Sequence, residues 1–85
     1  MSKVRLFTSP GCVNCPTMIA IVKHIAGKDN FDIIDVTSSP EALASLVHPV
    51  DNTPIKQVPT VIIGDNVYNM RNVRDMELKL EELYK

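Results

Sequence analysis

The sequence predicts a single α/β domain in which helices cover both faces of a four-stranded mixed sheet, with elements in the order β-α-β-α-β-β-α. Three observations carry this expectation. Apolar residues alternate in short stretches rich in Val, Ile, Phe and Thr, and recur at three-and-four spacing in the stretches between them. The chain has 85 residues, which is room for one core and not for two. Hydrophobic residues make up 45% of it against 22% charged, the balance of a globular rather than a disordered chain. With no internal repeat, low-complexity tract or linker, residues 1–85 are expected to form one domain.

The first element, Lys3-Val4-Arg5-Leu6-Phe7-Thr8, alternates loosely and reads as a strand, broken by Ser9-Pro10-Gly11. From Val13 the period changes. Cys15, Met18, Ile19, Val22, Ile25 and Ala26 form one helical stripe, and Gly27 stands where a C-terminal cap would end it. Pro16 is tolerated in the first turn, where its missing N–H has no intrahelical partner to lose. Phe31-Asp32-Ile33-Ile34-Asp35-Val36 reads as the second strand. Ser39-Pro40-Glu41 then supplies an N-cap, a proline at the first helical position and an acid in the first turn. Ala42, Leu43, Leu46 and Val47 are the apolar face of that short helix, which His48 is expected to end.

His48 to Gln57 contains Pro49 and Pro54 and reads as an irregular loop. Thr60-Val61-Ile62-Ile63 and Val67-Tyr68-Asn69-Met70 are two strands joined by the tight turn Gly64-Asp65-Asn66, which makes a hairpin. Asn72 is expected to cap the last helix, with Asp75 as a capping-box partner and Val73, Met76, Leu80 and Leu83 as its buried stripe. Asp75/Lys79 and Glu81/Lys85 are spaced as favourable exposed pairs. Right-handed crossovers make the first two strands parallel, and the hairpin adds antiparallel strands.

The charges exclude some classes of function. Nine Lys and Arg stand against ten Asp and Glu, a net charge of −1 with no run of three basic residues. Electrostatic attraction to nucleic acid or to an anionic membrane is therefore not a theme. The longest apolar stretch falls far short of the roughly 20 residues of a membrane span, and no basic-then-apolar leader is visible, so the expected address is the cytoplasm. A monomer is expected.

Chemistry concentrates at Cys12 and Cys15, the only cysteines. A bridge between neighbours so close in sequence restrains the unfolded chain far less than a long-range one, so stability is a poor reason for the pair. At a strand-to-helix junction the unpaired N–H groups and dipole of the helix start favour an anion. Thiolate is the nucleophile of disulfide exchange, so Cys12 is expected to be moderately acidified and to attack. Cys15, one turn on and held by the apolar stripe, is placed to resolve the mixed disulfide. A zinc site would need four ligands, and only His24 and His48 remain, neither at ligand spacing.

Phe7-Thr8-Ser9-Pro10-Gly11-Cys12-Val13-Asn14-Cys15-Pro16, followed downstream by Val58-Pro59-Thr60, resembles the thioredoxin/glutaredoxin superfamily. It is similar to the short glutaredoxin-sized redoxins, among them archaeal-type small thioredoxins and ribonucleotide-reductase-donor redoxins. The resemblance implies a thioredoxin-like fold and thiol–disulfide oxidoreductase activity on protein disulfides, with Cys12 and Cys15 catalytic. It implies that Pro10, Gly11, Val13, Asn14, Val58, Pro59 and Thr60 form the substrate groove. It also implies a cis peptide bond at Pro59, with Val58 offering backbone hydrogen bonds to substrate. No metal or organic cofactor is implied beyond the redox-active disulfide, with glutathione as an alternative reductant. The other alternative is a non-catalytic binding module, in which the fold docks a partner or two subunits share an iron–sulfur cluster, since one Cys-x-x-Cys cannot supply four thiolates.

The chain departs from the glutaredoxin pattern where glutathione is held. Ser9 stands where a Lys is usual, and Asn69-Met70-Arg71-Asn72 replaces a Gly-Gly pair followed by an acid. These departures favour a thioredoxin-reductase-type flavoenzyme as the source of electrons, and ribonucleotide reductase is one candidate partner. The chain also lacks the Trp that thioredoxins place before the first Cys. His24, Arg71 and Arg74 read as solvated surface groups, Met18, Met70 and Met76 as core, and Tyr68 as packing.

Overall fold

The computed structural model describes residues 4–84; Lys3, at the start of the first expected strand, and Lys85, the expected partner of Glu81, lie outside the described residues. The elements are β1 (Val4–Thr8), α1 (Cys15–Ala26), β2 (Phe31–Asp35), α2 (Pro40–Ala44), β3 (Thr60–Ile63), β4 (Asn66–Tyr68) and α3 (Val73–Tyr84), with a 3-10 turn over Met70–Asn72 leading into α3. The sheet order is β2-β1-β3-β4, with β1 parallel to β2 and antiparallel to β3, and β3 antiparallel to β4. This is the four-stranded mixed sheet the sequence predicts.

Register decides which ends meet. Thr8 pairs with Asp35, Phe7 with Thr60 and Val61 with Tyr68. The C-terminal ends of β1, β2 and β4 therefore share one end of the sheet with the N-terminal end of β3. α1 follows β1 and α3 follows β4, so both helices start at that same end.

The two faces of the sheet are covered differently. On one, Val4, Leu6, Phe31, Val61 and Ile63 meet Met18, Val22 and Ala26 of α1 and Met76 and Leu80 of α3 in one buried cluster. On the other, the buried apolar cluster is only Phe7, Leu46 and Ile62, flanked by Ile34, Val36, Ile55, Val58 and Val67. All four residues of the inner strand β3 are buried, as a strand covered on both sides requires.

Several boundaries move. α1 begins at Cys15 rather than Val13, with Asn14 as N-cap and Pro16 in the first turn. Gly27 ends it with φ +89°, its N–H donating to the Lys23 carbonyl at 3.0 Å. Ser39 caps α2 as expected, its Oγ accepting the Ala42 N–H at 3.1 Å. That helix ends at Ala44, however, and His48 does not terminate it. The Ser45 hydroxyl donates to the Ala42 carbonyl at 2.7 Å, and the Leu46 N–H reaches only three residues back, to Leu43. Val47 then bridges Pro54. The short helix leaves Leu43 58% exposed while Leu46 is buried, so the two do not share one buried stripe.

At the hairpin, Ile63 faces Asn66 across Gly64 and Asp65. Gly64 takes φ +60°, the left-handed conformation that the first position of such a turn demands. β4 ends at Tyr68, so Met70 lies beyond it. Asn72 does not cap α3 forward with Asp75. Its Oδ1 accepts the Asn69 N–H at 2.7 Å while Asn69 Oδ1 accepts the Arg71 N–H at 2.8 Å, and this reciprocal pair closes the 3-10 turn one step earlier. In α3, Tyr84 packs four residues after Leu80, and Leu83 is 39% exposed instead. Among the described residues of α3 the ion pairs are Arg74–Glu77 at 3.4 Å and Lys79–Glu82 at 3.8 Å rather than Asp75–Lys79.

Candidate functional site

The site is built where β1 hands over to α1. Ser9-Pro10-Gly11-Cys12 is a β-turn closed by the Cys12 N–H on the Ser9 carbonyl at 3.3 Å. Proline sits at its second position and glycine, with φ +81°, at its third, the residue pattern of a type II turn. Nothing lies within 4 Å of where a Gly11 Cβ would be; backbone conformation, and not crowding, selects glycine there. The turn delivers Cys12, partly exposed, ahead of α1, and Cys15 is the first helical residue, 4% exposed.

Cys12 and Cys15 form a disulfide, with their Cα atoms 5.4 Å apart. The bond brings the Cys12 sulfur to the start of α1 although its backbone lies three residues before it. Asn14 makes no side-chain cap hydrogen bond, and the first turn holds no acid. The N–H groups of Cys15 and Thr17 precede the first intrahelical acceptor in reach, and Pro16 has none. This helix start is therefore free of competing carboxylates and keeps its donors.

Val13, between the cysteines, is 88% exposed, and Pro10, Gly11 and Asn14 are exposed with it. Across the sheet, Phe7 pairs with Thr60, so Val58 and Pro59 continue past the strand at the end of the sheet where Cys12 lies. The Val58–Pro59 bond is cis, as the resemblance implied. Pro59 is buried and Val58 partly so. Thr60, expected in the groove, turns its side chain inward: it is 1% exposed and its hydroxyl donates to the Gln57 carbonyl. Sequence reasoning missed that bond. Its one signal was a polar residue opening an otherwise aliphatic run.

Two neighbouring segments frame this end. At the end of β2 the Asp35 carboxylate accepts the Thr37 N–H at 2.8 Å and the Thr37 hydroxyl at 2.6 Å. These bonds hold its carboxyl below the usual range. Residues 46–55 form a small hairpin-like loop, another feature the sequence did not disclose. The Ile55 N–H donates to Leu46, the His48 N–H to Thr53 and the Asn52 N–H to His48, with Asn52 at φ 59°. His48 Nδ1 accepts the Val50 N–H at 3.2 Å.

His24, Arg71 and Arg74 are exposed, as the sequence suggests. Tyr68 packs against the α1/α3 cluster, and burial pushes its phenol up, with the Asp75 and Glu82 charges adding to the effect. Among the described residues no group of three His, Cys, Asp or Glu could hold a metal, and no helix is long and apolar enough to cross a membrane.

Comparison with known proteins agrees with this geometry. The Glutaredoxin family profile matches residues 4–68. The thioredoxin-like protein BC3987 is similar in structure at TM-score 0.70 with 22% identity, over 91% of this chain and 97% of that one. A mutant of BC3987 matches at TM-score 0.69 with 20% identity, over 88% and 95%. The fold is thioredoxin-like. No curated protein sequence matches.

Proposed function

The chain belongs to the glutaredoxin family, and from that premise we propose that it reduces disulfide bonds in other proteins, with electrons from a thioredoxin-reductase-type flavoenzyme. Family membership and the Cys12–Cys15 disulfide make it a thiol–disulfide redoxin; substrate and reductant are the proposal. The observation that carries it is the pair of cysteines at an uncapped, acid-free helix start.

In the reduced protein the start of α1 favours the Cys12 thiolate over the thiol. That thiolate attacks one sulfur of the substrate disulfide, forms a mixed disulfide and releases the first substrate thiolate. The Cys15 thiolate then attacks the Cys12 sulfur, restores the Cys12–Cys15 disulfide and releases the second. The substrate gains two electrons and two protons, and the dithiol loses them. Pro10, Gly11, Val13 and Asn14 form the exposed rim, and the Val58 backbone aligns an extended substrate segment beside Pro59. A cytoplasmic address suits this direction of exchange, because that compartment keeps dithiols reduced.

The junction between β4 and α3 supports the flavoenzyme over glutathione. The Asn69 and Asn72 side chains are spent on the chain's own N–H groups, in the place where the glutathione-binding pattern would present free ones. Ser9 supplies no cation before Cys12.

The test is recycling of the oxidised protein with NADPH and either thioredoxin reductase or glutathione with its reductase. Turnover with the flavoenzyme alone is the expected result. Turnover only with glutathione overturns the choice of reductant. Cys12→Ser should abolish reduction of a protein disulfide with little change in melting temperature; retained activity would sink the assignment of the nucleophile.

A further inference from the structure

We propose that His48 is a pH-operated latch on the tip of the 46–55 loop: its neutral ring holds the Val50 N–H, and protonation releases Val50 and turns the ring to Asp51. The latch does not depend on the substrate or reductant proposed above. Two interactions compete for one atom. His48 Nδ1 accepts the Val50 N–H at 3.2 Å, and the same Nδ1 lies 3.8 Å from Asp51 Oδ1. In a neutral imidazole one nitrogen accepts and the other carries the proton, so here the proton sits on Nε2. Imidazolium has two donors and no acceptor. A proton added at Nδ1 therefore takes the lone pair that Val50 uses and makes the same atom a charged donor beside a carboxylate. Asp51 Oδ1 already accepts the Thr53 N–H at 3.0 Å, and a carboxylate has lone pairs for both partners.

The change is confined to the tip. Below it, the Ile55 N–H donates to the Leu46 carbonyl at 3.1 Å, the His48 N–H to Thr53 at 2.9 Å and the Asn52 N–H to His48 at 2.8 Å. These bonds join backbone to backbone and do not involve the ring. The Val50 N–H has no second acceptor among the described residues, so its release leaves it to water. The His48 side chain is 37% exposed, which lets solvent protons reach it, and histidine is the side chain that titrates between about pH 5 and 8. Asp51 is the one carboxylate at ion-pair distance from the ring among the described residues. Glu41 of α2 and Asp32 and Asp35 of β2 make no ion pair with it, and Asp35 is held by Thr37. Of the cations on this side, Arg5 lies over the Phe7 ring, and Lys56 follows the loop in sequence.

Nuclear magnetic resonance on the isotope-labelled protein reads the latch directly, because an N–H···N hydrogen bond couples its two nitrogens. At about pH 8, above the histidine range, the Val50 amide nitrogen should couple to His48 Nδ1, with the ring proton on Nε2. At about pH 5 that coupling should be lost, while the amides of His48, Asn52 and Ile55 keep their protection from exchange. No coupling at the higher pH, coupling that survives protonation of the ring, or loss of protection at all three amides would each overturn the proposal. Asp51→Asn should retain the coupling at the higher pH, since Val50 needs only the ring; its loss there would show that the carboxylate holds the tip and the ring merely follows. His48→Gln should abolish the pH-dependent step in the Val50 amide signal, and a step that survives would assign the titration to another group. If either variant fails to fold, the wild-type couplings decide alone.

Discussion

The two faces of the sheet are built on different principles, and the difference separates what holds the fold from what shapes the site. Under α1 and α3, ten residues form one continuous buried cluster. The opposite face has three buried apolar residues, a five-residue helix and the segment 46–58 laid over them. Arg5 helps cover it, its guanidinium 5.8 Å from the Phe7 ring centroid. Cys15 begins the helix that belongs to the thick face, so its sulfur rides on an element packed into the larger cluster. Val58 and Pro59 end the segment that belongs to the thin one. The cysteine pair and the cis-proline segment thus belong to faces of unequal packing.

Truncating one core residue on each face should measure that inequality. Met18→Ala removes a fully buried side chain from the midst of the large cluster. Its cost should fall within the range of about 2–5 kcal/mol for such truncations. For a domain this small each kcal/mol lowers the melting temperature by roughly 4–8 °C, so the variant should melt far below wild type. Leu46→Ala, on the thin face, should cost only about 2 kcal/mol, the low end of the same range, because loops relax into a cavity more readily than packed helices. Equal losses in thermal melts would mean that the two faces are equally well supported.

The contrast should also appear without mutation. Amide hydrogens bound across the 46–55 loop, those of His48, Asn52 and Ile55, should exchange through local opening. Those of β1 and β3 should wait for global unfolding. Exchange of both sets at one rate would show a single cooperative unit and remove the idea of an independently adjustable substrate-side segment.

The thick face was legible in the sequence and the thin one was not, and the reason is physical. Met18, Val22, Ala26, Met76 and Leu80 announce themselves through helical period, because burial of an apolar stripe leaves a pattern. The Ser39 cap, the Gly27 stop and the glycine at 64 were equally legible, since each is a local rule of backbone chemistry. The loop from Leu46 to Ile55 is held instead by the Val50 N–H donating to His48 Nδ1 and the Thr53 N–H donating to Asp51 Oδ1. Such bonds need only a polar residue two positions away and leave no period. The same holds for Asn69 and Asn72, where two asparagines gave no sign of which would reach for which. At the site, Cys12, Cys15 and Pro59 stood out by type and spacing. The inward turn of Thr60 depended on a partner, the Gln57 carbonyl, that every residue carries and no sequence marks.

The smallest effect concerns the end of β2, where the thin face meets the site. Asp35 is half-buried, and its carboxyl is held below its ordinary value first by the Thr37 hydroxyl and then by the Thr37 N–H, with slight opposition from burial. A carboxylate whose folded pKa lies below its unfolded one stabilises the fold above the unfolded value, about 3.9, and loses that contribution as pH falls through the folded value. Stability at neutral pH should therefore include a small term from Asp35 that disappears on acidification below about pH 4. Asp35→Asn should remove it, so that variant and wild type differ slightly at pH 7 and converge in acid when their melting temperatures are compared. Because Thr8 pairs with Asp35 and the Val36 N–H donates to the Thr8 carbonyl at 2.9 Å, this end of β2 is tied to the strand that leads into the Ser9–Cys12 turn. Disulfide reduction by Asp35→Asn at neutral pH should nonetheless match wild type, since the backbone ladder and not the carboxylate holds Thr8. A marked loss of activity without loss of stability would show instead that the turn carrying Cys12 depends on the thin side of the sheet.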